Sequence, residues 1–266
     1  MKVRKILLTG DDGYNSIGTR LLIYYLKNRY DLFIAGTQVQ QSGVGGYVNV
    51  GKDIRWKEIE VDGVKGLAVN GTPADAVEAT YAYCQRKFDL VISGINVGAN
   101  IGGAFFSSGT IAAFIRAHFI GVAEKGITIS QLTLDPKTWI HDHSKTKDIT
   151  SFQKYPGEVA FKVIMKSIRE NLCRATLLNI NLPGKKSSEI RFTKPIYDLT
   201  QFYSYPGKIN HPKRIYRYPM SIINKKFPVM YDIGALHEGY ISISPCVPDL
   251  LNEEIYRKLK DKTFSL

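Results

Sequence analysis

Short apolar runs alternate along the chain with longer segments of helical periodicity. Buried strands are predicted at residues 3–9, 32–35, 90–93, 126–130 and 176–182. Helices are predicted between them, at residues 18–30, 73–86, 109–121 and 157–171. This alternation predicts an α/β protein with a mainly parallel sheet and helices on both faces of that sheet.

Two regions break the alternation. Residues 51–71 alternate apolar and polar side chains around a turn at Gly63, which predicts an antiparallel excursion. Residues 190–232 are rich in Tyr, Pro and Lys and show no helical periodicity, so we expect the strands of a hairpin or arm there. Further on, 239–244 alternates as a strand does, and 252–262 predicts a short, charged C-terminal helix.

Composition is that of an ordinary globular protein, with 44% hydrophobic and 23% charged residues among 266. No apolar run approaches the roughly 20 residues that cross a bilayer. The basic N-terminus runs into Asp11 after only a few apolar residues, so a signal peptide is not expected. The three cysteines are far apart in the sequence and odd in number, which indicates reduced thiols in a cytoplasmic protein: Cys84, Cys173 and Cys246.

The polar segment 131–156 is interpreted as either a lid-like loop or a variable surface insertion. It contains His141 and His143, which we interpret as loop residues, so a transition-metal site of Cys and His has little support. The net charge of +12 would attract phosphates, nucleotides or nucleic acid. A lysine-rich surface that only reflects background composition explains that charge at least as well.

Oxygen-bearing side chains follow three of the predicted strands. They lie in the segments 10–13, 40–43 and 93–100, and the candidates among them are Asp11, Asp12, Ser42, Asn96 and Asn100. Ligands of open parallel sheets bind beyond the carboxyl ends of the strands, where these segments would meet. Carboxylate, hydroxyl and amide oxygens suit Mg²⁺ or Mn²⁺, and a divalent cation would make two adjacent carboxylates favourable. Each segment alone is more typical of a turn; only their joint placement indicates a metal site.

A fourth segment, 107–110, leads into the predicted helix 109–121. The hydroxyls of Ser108 and Thr110, with Gly109 and the backbone N–H groups of a helix N-terminus, would form an anion cradle. The simpler interpretation is an N-cap serine. A phosphate cradle beside a divalent cation is what phosphoester hydrolysis needs.

Seven motifs together, in this order, resemble the SurE (survival protein E) family of metal-dependent nucleotide phosphatases. They are ILLTGDDGYNSIG, QQSG, NGTPADAV, LVISGINVGANIG, SSGTIAA, LLNINLP and ALHEGYISISP, and the similarity covers about residues 3–130, 176–183 and 235–245. The resemblance implies a Rossmann-like three-layer core. It also implies hydrolysis of nucleoside 5′- and 3′-monophosphates with one divalent ion per subunit, Mn²⁺ or Mg²⁺, and assembly into a homodimer or homotetramer.

Motif by motif, the resemblance assigns roles to residues of this chain. The implied metal ligands are Asp11, Asp12, Ser42 and Asn96, and the implied phosphate-binding residues are Asn100, Ser108, Gly109 and Thr110. The attacking group is either a water molecule or an aspartate carboxylate. We favour water, with Asp11 or Asp12 as its base and therefore as the catalytic residues.

The resemblance also implies a division of the chain. We expect a catalytic core over residues 1–184 and an oligomerisation arm over 185–235. A returning strand and the C-terminal helix would then occupy 236–266. Nucleoside monophosphate is the expected partner; neither a membrane nor a nucleic acid is.

Two departures from the family pattern leave alternatives open. Gly10 stands where the family usually has Asn, and Gln41 where Arg is common, so a weakened homologue that binds metal or nucleotide is a second hypothesis. A third is a nucleic-acid-binding protein, for which aromatic and basic residues interleave in a single stretch. That stretch, which a subunit-contacting arm explains equally well, comprises Tyr203, Tyr205, Lys208, Lys213, Arg214, Tyr216, Arg217 and Tyr218.

Overall fold

The computed structural model describes residues 2–133, 148–201, 207–217, 225–248 and 253–262. Most of the polar segment 131–156, with its two histidines, lies outside the described residues, as do residue 252 and three tyrosines of the basic stretch: Tyr203, Tyr205 and Tyr218.

The described part of the chain contains strands and helices in the predicted alternation. Its strands are β1 (Lys5–Thr9), β2 (Asp31–Thr37), β3 (Trp56–Val61), β4 (Val64–Val69), β5 (Leu90–Val97), β6 (Gly126–Gln131), β7 (Leu177–Leu182), β8 (Ile190–Phe192), β9 (Lys208–Asn210), β10 (Ile215–Arg217) and β11 (Ile241–Cys246). Its α-helices are α1 (Ile17–Leu26), α2 (Pro73–Cys84), α3 (Gly109–Phe119), α4 (Thr150–Phe152), α5 (Glu158–Arg169), α6 (Asp232–His237) and α7 (Glu253–Leu259). A 3₁₀ helix, Gly102–Ser107, runs directly into α3.

Nine of these strands form one sheet in the order β3-β4-β2-β1-β5-β6-β7-β11-β8. Six neighbouring strands of this sheet pair in parallel: β4, β2, β1, β5, β6 and β7. This confirms the predicted mainly parallel sheet. At one edge β3 pairs antiparallel with β4 through a turn at Asp62 and Gly63, as the pattern of 51–71 predicted. Both turn residues have positive φ, 49° and 85°, which suits a tight hairpin turn.

Helices cover both faces of the sheet and divide the core in two. Ile6 and Leu8 of β1 pack with α1 and α5, whereas Leu7 between them packs with α2 and α3. All three side chains are completely buried, because successive residues of a central strand point to opposite faces. This is the three-layer α/β/α arrangement that the alternation predicted.

The C-terminal third returns to the sheet and adds a separate hairpin. Strand β11 inserts antiparallel beside β7, and the short β8 pairs in parallel with β11. The hairpin β9–β10 forms its own two-stranded sheet, so strands do occur in the tyrosine-rich region. Helix α6 was not predicted, whereas α7 confirms the charged C-terminal helix. Across the described residues, no helix has the length and apolarity that crossing a membrane requires.

The loops that follow β1 and β2, together with the last residues of β5, meet at the carboxyl edge of the parallel sheet. The prediction ended β5 at residue 93, which is wrong: the strand continues to Val97. The pairing of β5 with β6 shifts its register between Gly94 and Asn96, as at a β-bulge, and then continues to Val97. Asn96 is therefore fixed in a strand rather than carried by a loop.

Candidate active site

Asp11 lies at the end of β1, against the N-terminus of α3. Thr110 donates its hydroxyl to Oδ1 of Asp11 at 2.6 Å, and the backbone N–H groups of Gly109 and Thr110 also bond to this carboxylate. A Cβ on Gly109 would lie 2.9 Å from both Cβ and Oδ2 of Asp11, so only glycine allows this approach. Because a helix N-terminus carries partial positive charge, it stabilises a carboxylate placed there.

Asp12 faces β5 and the loop after β2. The backbone N–H of Val97 donates to its Oδ2 at 2.9 Å, and the side-chain amide of Gln40 lies 3.3 Å from its Oδ1. The same Gln40 nitrogen lies 2.9 Å from the hydroxyl oxygen of Ser42. Gln40 therefore joins the loop after β2 to the carboxylate pair, and it brings the exposed Ser42 to the site.

Burial and mutual repulsion make the carboxylate pair difficult to ionise. Asp11 and Asp12 are each only 4% exposed. Burial raises the pKa of Asp11, against the hydrogen bonds from Thr110 and the backbone. Burial, followed by the charge of Asp11, raises the pKa of Asp12 from 3.8 to about 8. A neighbouring cation would reverse this preference and hold both groups ionised.

The side chains of Asn96 and Asn100 are held by different hydrogen bonds, and only Asn96 is next to a residue that contacts the carboxylates, Val97. The amide nitrogen of Asn96 donates to the carbonyl of Gly98 at 2.7 Å, which leaves the amide oxygen as the ligand atom that it can offer. The amide nitrogen of Asn100 instead donates to the hydroxyl of Ser130 at 2.8 Å. The side chain of Asn100 is thus anchored to β6 within the protein.

Two asparagines of β7 fix the loop that contains Asn100. Asn181 accepts from the backbone N–H of Asn100 at 2.8 Å, while Asn179 and Asn181 donate to its carbonyl at 2.8 and 3.2 Å. All three residues are buried. Because an unpaired buried backbone group is costly, these bonds determine the path of the loop.

The donor set fits a hard divalent cation. Among the described residues, no group of three or more His, Cys, Asp or Glu side chains could hold a metal ion. A cation at this site would therefore depend on the two carboxylates together with neutral oxygens, such as those of Ser42 and Asn96. Oxygen donors of this kind suit Mg²⁺ and Mn²⁺.

Several of the residues singled out from the sequence are close together in the fold. Asp11 contacts Thr110 and Gly109 directly, and Ser42 reaches Asp12 through Gln40. Ser108 is the N-cap of α3, where its hydroxyl accepts from the backbone N–H of Ile111 at 3.2 Å. The simpler interpretation of Ser108, an N-cap serine, is thereby confirmed, and phosphate binding by Ser108 stays a prediction.

Two contributors were missed by the sequence analysis: Gln40 and the backbone N–H of Val97. An amide two positions before Ser42 in the same loop is the signal that could have indicated Gln40. Nothing in the sequence marks a backbone N–H, because its direction depends on the bulge in β5.

The two departures from the family pattern lie beside the carboxylates. Gln41 donates its backbone N–H to the carbonyl of Asp11 at 2.7 Å, an interaction that does not depend on the identity of its side chain. A Cβ on Gly10 would lie 3.4 Å from the backbone nitrogen of Gly94, but the φ of Gly10 is +156°, a backbone conformation that residues with a side chain rarely adopt. A side chain at residue 10 would therefore strain this backbone, whatever the space around it.

Comparison with known proteins agrees with this architecture. The family model described as survival protein SurE matches residues 6–201. Proteins named 5′-nucleotidase SurE are similar to this chain: one from Thermoanaerobacter sp. (strain X514) is 33% identical, covering 92% of this chain and 93% of that protein. Another, from Archaeoglobus fulgidus, is 32% identical and covers 92% of each.

A solved structure shows the same fold. The crystal structure of the SurE protein from Aquifex aeolicus superposes with a TM-score of 0.72 at 24% identity, covering 96% of this chain and 98% of that one. The family model extends over more than half of the chain, and the motifs at the carboxyl edge of the sheet lie within the matched segment. The chain therefore belongs to the survival protein SurE family.

Proposed function

We propose that the protein is a metal-dependent phosphomonoesterase that hydrolyses nucleoside 5′- and 3′-monophosphates to nucleoside and phosphate. The name 5′-nucleotidase of its relatives supports this activity. The single observation that carries the proposal is the buried Asp11–Asp12 pair, held against the N-terminus of α3. That arrangement combines a place for a divalent cation with backbone N–H groups that favour anions.

In this proposal one Mn²⁺ or Mg²⁺ ion per subunit is held by Asp11, Asp12, Ser42 and Asn96. Such an ion, when bound, would polarise a phosphoryl oxygen and lower the pKa of water. The two carboxylates give the site its charge, while the neutral hydroxyl and amide oxygens leave the ion net positive. Asn100 and the segment 108–110 are proposed to hold the phosphate, supported by the partial positive charge at the start of α3.

We assign the role of general base to Asp12 rather than Asp11. Both oxygens of Asp11 lie close to α3, where a hydroxyl and two backbone N–H groups bond to the carboxylate. Within the part of the chain that the structure describes, Asp12 accepts one short bond, from Val97 to Oδ2, and Oδ1 has the longer 3.3 Å contact with Gln40. Asp12 therefore keeps an oxygen with greater capacity to accept a proton.

The bond changes are those of a hydrolysis. Asp12 takes a proton from the attacking water, whose oxygen bonds to phosphorus while the ester P–O bond breaks. The departing ribose oxygen takes up a proton from solvent and leaves as the nucleoside hydroxyl, and Asp12 returns its proton to solvent, so that the net reaction consumes one water.

The proposal includes homodimers or homotetramers that assemble through the region 185–235. The hairpin β9–β10 supports it, because Ile209, Ile215 and Tyr216 are more than half exposed and would be covered in an assembly. We propose the corresponding division of the chain into a catalytic core, residues 1–184, an oligomerisation arm, 185–235, and a C-terminal segment, 236–266. We also propose a cytoplasmic location, which the three free cysteines support.

The test is phosphate release from a panel of nucleoside 5′- and 3′-monophosphates, with Mn²⁺, with Mg²⁺ and with EDTA. Asp12→Asn is the site variant, and Asp53→Asn, which changes an exposed carboxylate, is its matched control. We expect release that requires metal, disappears in Asp12→Asn and persists in Asp53→Asn. Release that survives EDTA, or that survives in Asp12→Asn, would contradict the proposal.

A further inference from the structure

An exposed pair of aromatic rings lies immediately before the N-terminus of α3. Phe106 is 57% exposed and Tyr197 is 62% exposed, and their ring centroids lie 5.9 Å apart at an interplanar angle of 39°. Neighbouring Phe105 is half-buried and packs with the α2/α3 core, so it anchors the segment from which Phe106 projects. Scattered exposed aromatics are ordinary, whereas two adjacent exposed rings offer one continuous apolar surface to a ligand.

The backbone connects this pair directly to the candidate site. Phe106 precedes Gly109 by three residues, so their Cα atoms are at most about 11 Å apart. The N–H of Gly45, three residues after Ser42, donates to the carbonyl of Ser107 at 2.9 Å. The aromatic pair therefore borders both the loop that contains Ser42 and the helix terminus that contacts Asp11.

Buried hydrogen bonds fix both rings to the same framework. The N–H of Gly103 donates to the carbonyl of Ile196, the residue before Tyr197, at 3.0 Å. The N–H of Gly102 donates to the carboxylate of Asp232 at 2.7 Å, and Asp232 is completely buried. The 3₁₀ helix that contains Phe106 and the segment that contains Tyr197 are thus held together, which presents the two rings as one preorganised surface.

We infer that Phe106 and Tyr197 form the nucleobase-binding wall of the site, on which the base of a nucleoside monophosphate stacks. The inference rests on the nucleotidase function proposed above and deepens it, because it names the part of the substrate that the enzyme recognises besides the phosphate. Stacking of a base on an aromatic ring tolerates any base, since every base has a π face. The wall would therefore select nucleotides over sugar phosphates without strong selection among bases.

A second exposed aromatic pair provides the competing location. Trp56 and Tyr83 are each 46% exposed, with centroids 5.1 Å apart, and they line a cavity of about 630 Å³. Tyr83 lies ten residues beyond Pro73 on α2, about 15 Å along the helix from the end that meets Gly109. This pair is farther from the carboxylates, which makes Trp56→Ala a matched control.

The experiment compares kcat/KM for adenosine 5′-monophosphate with kcat/KM for ribose 5-phosphate, which presents the same ester without a base. We expect the wild type to prefer the nucleotide. We expect Phe106→Ala and Tyr197→Ala each to reduce that preference about tenfold, by a loss on the nucleotide alone. Phe106→Tyr and Tyr197→Phe keep a ring and are expected to keep the preference, as is Trp56→Ala.

Equal losses on both substrates would overturn the inference, because they would indicate a distorted cradle rather than a lost base contact. It is also overturned if Trp56→Ala removes the preference, or if the alanine variants change only the oligomeric state. Calorimetric titration of each protein with the two compounds separates this inference from the proposed function. If no substrate is hydrolysed but the alanine variants bind the nucleotide alone more weakly, the base-binding wall is supported and the proposed nucleotidase function is refuted. If the alanine variants bind the nucleotide as tightly as the wild type, the base-binding wall is overturned.

Discussion

Replacing Asp12 by asparagine is expected to stabilise the metal-free protein. The folded wild type holds Asp12 with a pKa of about 8, against 3.8 for a free aspartate. A carboxyl group whose folded-state pKa is raised contributes full stability below pH 3.8, and this contribution is lost as the pH rises toward 8. At neutral pH the loss amounts to about 4 kcal/mol, since each pKa unit corresponds to about 1.36 kcal/mol.

Asparagine has a similar shape and no charge, so the variant escapes this loss. Its amide oxygen can still accept from the backbone N–H of Val97. The difference in unfolding free energy between variant and wild type is therefore expected to be near zero at about pH 4 and to grow toward pH 8. For a chain of this length, the expected increase in melting temperature near neutral pH is about 10 °C.

The assay is urea unfolding in EDTA at several pH values between about 4 and 8, followed by circular dichroism. Asp53→Asn is again the control, since its carboxylate is exposed, and it is expected to follow the wild type at every pH. Adding Mn²⁺ is expected to stabilise the wild type more than the Asp12→Asn variant. A variant no more stable than the wild type at pH 8 in EDTA would refute the account of the pair as a desolvated, self-repelling site.

Three further predictions concern the same carboxylates. Metal binding must ionise Asp12, so binding of Mn²⁺ below pH 8 is expected to release protons, and the affinity of the protein for Mn²⁺ is expected to rise with pH. Proton release is measured by calorimetry, as a binding heat that changes with the ionisation enthalpy of the buffer. Thr110→Val removes the 2.6 Å bond to Asp11 and is expected to reduce kcat/KM about tenfold or more. Thr110→Ser restores the hydroxyl and is expected to restore kcat/KM. Full activity in the valine variant would contradict the role of Thr110 in positioning Asp11. Gly109→Ala places a Cβ 2.9 Å from Asp11 and is expected to cost about 1–3 kcal/mol of stability in thermal unfolding, whereas Gly46→Ala, with its neighbour at 4.0 Å, is expected to be neutral.

Much of the candidate site could be predicted from local sequence patterns. Alternating apolar runs and helical periodicity predicted where β1 and α3 occur, and hence that their carboxyl and amino ends meet at one edge of the sheet. An N-cap serine and two carboxylates directly after a strand are local signals, which is why the positions of Ser108, Asp11 and Asp12 in the fold could be predicted from the sequence.

Contacts between distant segments could not be predicted in this way. Asn179 and Asn181 occupy buried positions of β7, and their sequence shows only that two polar residues alternate with apolar ones. Their bonds to Asn100 depend on the packing of β7 near the loop 98–101, some 80 residues away in the sequence. The insertion of β11 between β7 and β8 likewise depends on long-range pairing. The six residues of β11 do not specify which strands they will pair with.

Asp232 has a consequence for how the protein is made. The N–H of Gly102 finds its carboxylate partner 130 residues later in the chain. During synthesis the N-terminal strands and helices leave the ribosome first, and the 3₁₀ helix before α3 emerges long before Asp232. The segment that leads into the site therefore remains without its buried partner until the chain is nearly complete. A nascent or truncated chain that ends before residue 232 would contain every proposed catalytic residue and still lack the bond that fixes the loop beside them.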